Sequence, residues 1–434
     1  MPARLVSSPP WTFLAAACAL ALVGCGAKTG LYVPDGGDNE SFDAGVDGGL
    51  DASMADAGPD ADICVDVPFD GGPVEVDLDV EAQVGAADIA FLIDVTASMQ
   101  EEIEEIRSRL RDQLVPAIRD AVPDSRLAVA TFADFPVGDY GSSGAGDKPF
   151  ELRLPMTSNI NEVQAAVDNI ELGDGRDIQE SQVEALYQLA TGAGRGSYVE
   201  PSAGCPAGGL GYACVRRDAL PVVLLFTDAE FHNGPGGVFP YGSDVIPRPA
   251  TYEEAVRALN ALGVRVMGFD SGGGLARDHL REVARDTEAI AEGSPLVFDI
   301  GTSGQRLGTS VVEAIETLAG SLEQDIDAVL VDPVPSDGVN VLDFVEGVVP
   351  LRAEPPDGVA GIDVEGGVFL QARAGTRLIW QIVVRNDAVV PGPSPRRFRL
   401  EIIFRGDARR RLGRRFIDIV VPGEGGEGCD ELFP

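Results

Sequence analysis

Short apolar runs alternate with amphipathic segments along residues 86–325. This alternation is typical of a mainly parallel sheet whose two faces are covered by helices. The apolar runs predict strands at residues 88–95, 126–135, 150–155, 220–226, 264–269 and 295–300. The amphipathic segments predict helices at residues 99–122, 160–170, 180–190, 252–262, 277–286 and 305–322. We therefore expect an α/β fold over residues 86–325, a doubly wound sheet with helices on both faces.

The pattern changes after Gln324, where the helical period disappears and apolar and polar residues alternate. The alternation is regular in residues 377–384 and 397–404, which we predict to be strands. We expect residues 326–434 to form an all-β, sandwich-like domain. A similar alternation in residues 74–80 precedes the α/β segment, so residues 63–85 are expected to supply a strand to the same sandwich.

Residues 25–62 differ in composition from both of these parts. Gly, Ala and Asp make up most of the stretch after Cys25, and large apolar side chains are few. Such a segment cannot bury a core, and we expect a disordered linker. Its Asp-Ala-Gly and Asp-Gly-Gly repeats lack the ligand ladder and closing Glu of calcium-binding loops, so we do not expect calcium there.

The N-terminal segment has the features of an export signal. Its apolar run at residues 11–23 is too short to span a bilayer as a mature helix, and Leu-Val-Gly-Cys follows, ending at Cys25. This motif resembles the lipobox of bacterial lipoproteins. The resemblance implies that residues 1–24 are removed, that Cys25 carries lipid, and that Gly26 favours retention in the outer membrane. An ordinary secretory signal with an incidental cysteine is the alternative.

Four cysteines follow the one expected to carry lipid. An exported protein lies in an oxidising compartment, where disulfides persist, and four cysteines allow three pairings. The short separation of Cys205 and Cys214 favours that pair, which leaves Cys64 and Cys429 to join the two ends of the folded region. A zinc site built from all four thiolates is the alternative, but no Cys-x-x-Cys spacing supports it.

The net charge and the hydropathy of the chain exclude some classes of partner. The 434-residue chain carries 70 acidic and 33 basic residues, a net charge of -37. This charge argues against nucleic acid or a bare anionic lipid surface as the main partner, and it suits contacts bridged by cations. No stretch after the signal is apolar enough for a membrane span. We therefore expect an exported outer-membrane protein attached by its lipid only.

Oxygen ligands gather where the predicted strands end. The turn after the first strand contains Asp94, Thr96 and Ser98, which place one carboxylate and two hydroxyls on one side of a loop. Asp228 follows the fourth strand, and Asp177 and Glu180 lie at the start of the helix predicted for residues 180–190. Open α/β sheets bind ligands beyond the carboxyl ends of their strands, so we expect these side chains to converge. Carboxylates and hydroxyls suit a hard ion such as Mg²⁺.

Each of these residues also has a purely structural explanation. Thr96 and Ser98 could cap the following helix, and Asp228 could be an ordinary turn residue. Taken together, however, acidic side chains at adjoining strand ends repel one another unless a cation lies between them. The group therefore predicts metal binding.

The same residues resemble the von Willebrand factor type A family over about residues 86–325. In the I-like domain of integrin β subunits the first motif is Asp-x-Ser-x-Ser-Met-x followed by two acidic residues, and residues 94–102 follow it with Thr96 for the first serine. Residues 226–232 are similar to the family's fourth-strand end. The resemblance implies a metal-ion-dependent adhesion site that holds Mg²⁺ or Mn²⁺. Its ligands would be Asp94, Thr96, Ser98, Glu180 and Asp228, the last of them directly or through water.

The resemblance also implies two flanking Ca²⁺ sites. One would use Glu101 and Glu102, for which an acidic first turn of a helix is the alternative. The other would use Asp134, Asp177 and Glu180. Asp134 is expected at a strand end that faces the same crevice.

The chain departs from the family at several positions. Gly175 replaces a ligand Asn, and Gln179 replaces a Pro. The family's partner-reading loop carries a disulfide, whereas residues 136–148 contain no cysteine and the cysteine-bearing insertion lies at residues 192–218. The identity of the partner therefore does not follow from the resemblance. We expect loops at the carboxyl edge of the sheet, including residues 233–249, to set specificity.

Three classes of function remain. We expect a binding module, because a protein partner that presents a carboxylate would complete an open metal shell. We do not expect an enzyme: of two histidines, His232 is explained by a local hydrogen bond, and no Gly-x-Ser-x-Gly, His-Glu-x-x-His or phosphate loop occurs. A structural envelope scaffold with a structural metal is the alternative, and a metal-dependent hydrolase is a further one. The sequence does not predict an oligomeric state.

Overall fold

The structure is a computed structural model that describes residues 61–336 and 338–429, apart from the side chain of Ala207. All of these residues belong to one compact unit. The expected signal peptide, the lipidated Cys25 and the linker as far as residue 60 lie outside the described residues. None of the described helices has the length and apolar character needed to cross a bilayer.

Strands occur in both the α/β part and the β-rich part of the chain. In chain order they are β1 (Ile63–Asp66), β2 (Val74–Glu81), β3 (Ala86–Asp94), β4 (Asp124–Phe132), β5 (Glu151–Thr157), β6 (Gln179–Glu180), β7 (Leu220–Thr227), β8 (Glu230–Phe231), β9 (Arg265–Asp270), β10 (Ile290–Ala291), β11 (Ser294–Pro295), β12 (Val297–Asp299), β13 (Glu323–Val331), β14 (Val345–Glu354), β15 (Gly361–Asp363), β16 (Val368–Arg373), β17 (Arg377–Val384), β18 (Arg396–Gly406) and β19 (Arg410–Val421). Every strand predicted from the sequence is present, with its ends displaced by a few residues.

The α-helices of the described residues all lie in the α/β part. They are α1 (Gln100–Arg109), α2 (Val115–Ala121), α3 (Ile160–Asp168), α4 (Gln182–Thr191), α5 (Tyr252–Leu262), α6 (Gly274–Asp286) and α7 (Leu307–Ser321). A π-helical turn at Leu110–Leu114 joins α1 to α2, so the helix predicted for residues 99–122 is one run with a single wide turn. The other five predicted helices are confirmed as well.

A six-stranded sheet forms the centre of the α/β part. Its strand order is β12-β9-β7-β3-β4-β5, and only the β4–β5 pair is antiparallel. Successive strand residues face opposite sides of a sheet. Accordingly, Ile89, Phe91 and Ile93 of β3 pack in the core with α1, α2, α3 and α7, whereas Ala90 and Leu92 pack in the core with α4, α5 and α6. The predicted doubly wound, mainly parallel sheet is confirmed.

The β-rich part is a sandwich of two sheets with the orders β1-β19-β18-β13-β16-β15 and β14-β17-β2. Strand β2 pairs with β17 along its whole length, and β1 runs parallel to β19. The sandwich therefore takes strands from both sides of the α/β segment, as predicted. Trp380 lies at its core, with ring centroids 5.1 Å from Phe369 and 5.8 Å from Phe404. The predicted boundary at residue 325 falls inside β13, and the division into two domains stays a prediction.

Both expected disulfides are present. Cys64 of β1 is bonded to Cys429, with Cα atoms 5.9 Å apart, and Cys205 is bonded to Cys214, with Cα atoms 5.2 Å apart. The first bond ties the N-terminal strand of the sandwich to the segment after β19. Because all four thiols are paired, none is left for the alternative zinc site.

The carboxyl ends of the central strands place the predicted ligands at one edge of the sheet. Asp94 ends β3 beside Phe132 of β4, and Ile93 lies beside Phe226 of β7. The short parallel pair β6–β8 places Glu180 beside Phe231 at the same edge. The fold therefore brings the three strand-end groups together.

Candidate metal centre

The turn after β3 is organised around the buried carboxylate of Asp94. Its Oδ1 accepts hydrogen bonds from the backbone N–H of Thr96 at 3.0 Å and from the Thr96 hydroxyl at 2.7 Å. Its Oδ2 accepts one from the Thr227 hydroxyl at 2.7 Å. The Thr96 side chain makes no capping bond to the helical turn that follows. The capping explanation for Thr96 is therefore wrong, because its hydroxyl is used to orient a carboxylate.

Ser98 connects this turn to the end of β7. Its hydroxyl lies 3.3 Å from the Thr96 hydroxyl and donates to Asp228 Oδ1 at 3.2 Å. Asp94, Thr96, Ser98 and Asp228 thus form one continuous chain of oxygen atoms. Ser98 is exposed, whereas Asp94 and Thr96 are buried. The group has a buried side and a side that faces solvent.

Glu180 completes the predicted set, and Gly175 makes room for it. A Cβ atom at Gly175 would lie 2.6 Å from Glu180 Oε1 and 3.2 Å from the Thr96 side chain, and this glycine has a φ of +61°. Only glycine adopts this backbone conformation freely and leaves the space empty. Glu180 therefore approaches the β3 turn through a position where the resemblance implies an Asn ligand. All five residues predicted to hold the first ion border the same site.

An open cleft of about 470 Å³ lies over these residues. Among its lining residues are Thr96, Ser98, Glu180 and Asp228, together with the exposed apolar side chains of Ile178 and Leu275. A larger cavity of about 610 Å³ lies between α7 and strands β10–β12, but its carboxylates belong to no three-residue ligand group in the described chain. The chemistry predicted from the sequence is therefore found in the smaller cleft.

The carboxylates of the cleft have raised pKa values. Burial, followed by repulsion from Asp228, raises the pKa of Asp94 to about 7. Burial, followed by repulsion from Asp94, Asp134, Asp177 and Asp147, raises the pKa of Glu180 to about 11. The pKa of Asp228 is also raised, chiefly by burial.

No lysine or arginine offsets this charge in the described residues. The ion pairs of that part of the chain give Asp94, Glu180 and Asp228 no basic partner, and Glu180 Oε2 is buried without a hydrogen bond. The raised pKa values mean that these groups retain protons near neutral pH, and a bound cation can take the place of those protons. The residues present therefore fit a hard divalent ion, which carboxylate and hydroxyl oxygens bind.

A second group lies beside the first. Asp134, Asp177 and His232 each offer a ligand atom, and these atoms lie within 4.8 Å of one another. The family resemblance implies instead a Ca²⁺ site formed by the two aspartates and Glu180. In the structure His232 is the third member of the group, and the Ca²⁺ site formed with Glu180 stays a prediction. No other trio of His, Cys, Asp or Glu in the described residues has ligand atoms this close.

Sequence reasoning missed His232 as a ligand. Its expected local hydrogen bond is present, since Nδ1 lies 2.9 Å from the Phe239 carbonyl oxygen. Its other nitrogen, Nε2, lies 2.9 Å from Asp177 Oδ2. The sequence shows that His232 lies four residues after Asp228. Its neighbours in the second group, Asp134 and Asp177, are distant from it in the sequence.

The structure does not gather the predicted Glu101 and Glu102 into a ligand group of this kind. Glu101 is exposed on the first turn of α1. Glu102 is buried, its Oε2 has no hydrogen-bond partner, and burial raises its pKa. A flanking ion at these two residues stays a prediction.

Two of the predicted loops meet above the second group, and the third packs beside them. Tyr140, in the loop at residues 136–148, accepts a hydrogen bond from the Gly242 N–H at 2.8 Å, and its ring lies 5.0 Å from that of Tyr241. The disulfide-bearing insertion contacts the last turn of α4, where Tyr212 N–H donates to the Leu189 carbonyl, and its Tyr198 ring lies 5.2 Å from the Phe135 ring. The loop at residues 233–249 is therefore close to the candidate ligands, as expected.

Comparison with known proteins gives matches to solved structures only. The chain is similar to a von Willebrand factor type A protein. That protein, from Catenulispora acidiphila, is 11% identical over 84% of this chain and 72% of its own, with a TM-score of 0.36. The proximal thread matrix protein 1 of the mussel byssus is 16% identical over 58% of this chain and 51% of its own, with a TM-score of 0.34.

The pilus adhesin SpaC from Lactobacillus rhamnosus GG, in an open conformation, is a further match. It is 12% identical over 82% of this chain and 46% of its own, with a TM-score of 0.34. No protein-family model matches the sequence, and no curated protein matches it. Because all three TM-scores are below 0.5, the function of the site rests on the geometry described above.

Proposed function

We propose that this protein is an adhesion or assembly module that binds a protein partner through a divalent cation. Asp94, Thr96, Ser98, Glu180 and Asp228 would hold Mg²⁺ or Mn²⁺ at the carboxyl edge of the sheet. The observation that carries the proposal is the buried carboxylate of Asp94, which opens through Ser98 onto a cleft and has no basic partner among the described residues. A bound cation would supply the missing positive charge.

The cleft also accounts for recognition of a carboxylate on the partner. Thr96 is buried while Ser98 is exposed, so an ion held by both hydroxyls would keep one side toward solvent. A carboxylate from the partner is a suitable ligand for that side. Without the ion, the same carboxylate would meet the Asp228 side chain and find no cation to bind. Binding is therefore expected only in the presence of metal.

A binding role is favoured over catalysis because neither histidine of the chain borders the cleft. His232 uses both ring nitrogens within the fold. His279 Nδ1 accepts a hydrogen bond from the Phe231 N–H at 3.0 Å, and burial lowers its pKa. Neither ring is placed to move a proton for a substrate in the cleft.

The proposed location is the outer membrane of a bacterium, with the lipid on Cys25 as the attachment. This part of the proposal rests on the sequence motif and on the acidic, Gly- and Asp-rich stretch that follows it. Such a linker would hold the folded unit away from the membrane surface. Replacing Cys25 with Ala is expected to move the protein from the detergent-extracted membrane fraction to the soluble fraction.

Capture of partners from an envelope extract tests the proposed function. The immobilised protein is expected to retain a partner in Mg²⁺ and release it on chelation. Asp94→Ala should abolish capture, whereas Thr96→Ser should preserve it because the hydroxyl ligand remains. If Mg²⁺ stabilises the fold but capture is the same with and without metal, the metal is structural and the scaffold alternative holds. If Asp94→Ala binds metal as the unchanged protein does, the adhesion-site assignment is wrong.

A further inference from the structure

The tautomer of His232 is fixed by the protein itself. Its Nδ1 lies 2.9 Å from the carbonyl oxygen of Phe239, and a carbonyl oxygen only accepts hydrogen bonds. Nδ1 must therefore carry the proton. In the neutral ring, Nε2 then carries a lone pair, and this lone pair faces Asp177 Oδ2 at 2.9 Å and Asp134 Oδ2 at 3.5 Å. The lone pair and the two carboxylates repel one another unless a proton on Nε2 or a cation lies between them.

Asp134 points to the same position. It is fully buried, and its Oδ1 already accepts from the Phe135 N–H at 2.6 Å and from the Tyr241 hydroxyl at 2.5 Å. Its Oδ2 is buried without a hydrogen-bond partner, and so is Oδ1 of Asp177. Buried polar atoms are almost always paired, and these two oxygens can accept a ligand without breaking a hydrogen bond.

We propose that Asp134, Asp177 and His232 bind a divalent cation of their own, and that this cation is of the Zn²⁺ type. The imidazole nitrogen of His232 favours Zn²⁺ over Mg²⁺ or Ca²⁺. Mg²⁺ and Ca²⁺ are bound almost entirely by oxygen, whereas Zn²⁺ binds histidine nitrogen together with carboxylate oxygen. The site therefore differs from the Ca²⁺ site that the family resemblance implies at Asp134 and Asp177.

The surroundings of His232 are those of a metal-binding histidine. Such a residue usually donates its second ring N–H to a carbonyl or a carboxylate, as His232 does to Phe239. The Tyr241 ring lies 4.3 Å from the His232 ring and holds it in place, while the Tyr241 hydroxyl orients Asp134. The ring of Tyr140 also packs edge-on against the His232 ring, at 5.2 Å.

The ion would join the two loops that border this end of the cleft. His232 immediately precedes the loop at residues 233–249. Asp134 lies two residues before the loop at residues 136–148, and Asp177 lies on the segment that leads to Glu180. A cation shared by the three residues would fix these segments relative to one another. This binding site is separate from the adhesion site and does not depend on the proposed function.

Calorimetric titration of the purified, chelator-treated protein tests the inference. The probes are ZnCl₂ and MgCl₂, each added alone. We expect the unchanged protein to bind both, with Zn²⁺ the tighter ion at this site. His232→Gln should weaken Zn²⁺ binding by at least about 100-fold, and Tyr241→Phe, which alters only the outer shell, by roughly tenfold. Asp177→Asn is a second ligand variant at a partly exposed position and should behave as His232→Gln does.

Two controls separate the sites. Asp94→Ala should lose Mg²⁺ binding and keep Zn²⁺ binding, whereas His232→Gln should do the reverse. His279→Gln, which changes the other histidine, should leave Zn²⁺ affinity unchanged. If the unchanged protein binds Zn²⁺ no more tightly than Mg²⁺, or if His232→Gln and Asp177→Asn both bind Zn²⁺ normally, the inference is wrong. His232 would then be an imidazolium that pairs with two aspartates.

Discussion

Strand β3 carries one buried aspartate near each end, and the two have different partners. Asp88 and Asp94 are both fully buried. Asp88 accepts hydrogen bonds from the backbone N–H of Arg216 at 2.5 Å and from its guanidinium at 2.9 Å. Asp94 is bonded only to hydroxyls and a backbone N–H, and no basic side chain pairs with it in the described chain. The same strand therefore contains one neutralised and one uncompensated carboxylate.

Arginine pairing recurs elsewhere in the fold. Asp418, buried in the sandwich, is held by the two guanidinium nitrogens of Arg399 at 2.8 and 3.0 Å. Arg216 also reaches Asp124, which in turn accepts from Arg411. The chain thus has the means to neutralise buried acids, and it does so even beside the cleft, where Arg277 pairs with the buried Asp270 at the end of β9.

The contrast shows what distinguishes a structural acid from a ligand. A buried charge costs several kcal/mol unless a partner compensates it, and an arginine supplies that partner permanently. For Asp94, no arginine or lysine of the described chain supplies this compensation. This is the arrangement expected of a site that binds and releases a cation. Four experiments test the difference between Asp88 and Asp94.

The largest expected effect on the free energy of unfolding is at Asp88, the neutralised aspartate of β3. Arg216→Met should destabilise the protein by about 3–5 kcal/mol, because it leaves Asp88 buried with an uncompensated charge. Urea unfolding at neutral pH measures the loss, and added Mg²⁺ should not restore it. Arg217→Met, at the neighbouring exposed arginine, should change stability by no more than about 0.5 kcal/mol. Pairing Arg216→Met with Asp88→Asn should recover much of the loss, and failure to do so would contradict the proposed role of the pair.

The second effect concerns stabilisation by Mg²⁺ at Asp94, the uncompensated aspartate of β3. Mg²⁺ at about a hundredfold excess over its dissociation constant should stabilise the unchanged protein by roughly 2.7 kcal/mol. Asp94→Asn should remove that gain, yet in chelator it should be at least as stable as the unchanged protein, because one of the repelling charges is gone. Thermal unfolding with and without Mg²⁺ measures both. Asp88→Asn is the matched control, and it should lower stability in both conditions. Equal losses for the two variants in chelator would remove the distinction between the two ends.

The sequence predicted most of the fold because the signals for it are local. The period of the apolar residues between Met99 and Ala121 determines a helix, and continuous apolar runs such as Leu220–Thr227 determine buried strands. The ligands Asp94, Thr96 and Ser98 were predictable for the same reason, since they share one turn at a strand end. Both disulfides followed from counting cysteines.

What the sequence did not predict depends on contacts between distant segments. His232 and Asp177 are 55 positions apart in the chain, and Asp88 and Arg216 are 128 apart. No periodicity or spacing marks such pairs. The grouping of Asp134 and Asp177 with His232 is set by the β6–β8 pairing, and strands of two residues leave no recognisable pattern in a sequence.

The third effect is a dependence on pH that only the metal-free protein should show. Burial raises the pKa of both Asp94 and Asp134 to about 7, so the folded protein holds protons that the unfolded chain releases above about pH 4. The stability that these two groups contribute is therefore fully present below about pH 4 and is lost as the pH rises toward and through 7, by on the order of 1 kcal/mol per pH unit. Urea unfolding in chelator between pH 5 and 8 measures the slope.

Metal and substitution should change that slope in defined ways. Saturating Mg²⁺ and Zn²⁺ should flatten it, because the cations replace the protons. Asp94→Asn should reduce it in chelator, whereas Arg217→Met should not. A metal-free protein whose stability rises between pH 5 and 8 would contradict the sign, and would mean that these carboxylates are compensated after all.

The smallest effect on stability should be at the rim of the cleft, where an effect on binding is expected instead. Ile178 is 72% exposed and lines the cleft, and Ile246 is equally exposed but does not. Ile178→Ala should weaken Mg²⁺-dependent capture of the partner roughly tenfold, the loss of about 1.4 kcal/mol of apolar contact, and Leu275→Ala should act in the same direction. Both should leave the unfolding free energy within about 0.5 kcal/mol and the Mg²⁺ affinity unchanged, since neither side chain offers a ligand. Ile246→Ala should leave all three quantities unchanged. Titrating the captured partner against each immobilised variant decides the matter: equal affinities for the Ile178 and Ile246 variants would show that the partner contacts only the ion and its ligands, and that specificity comes from another surface.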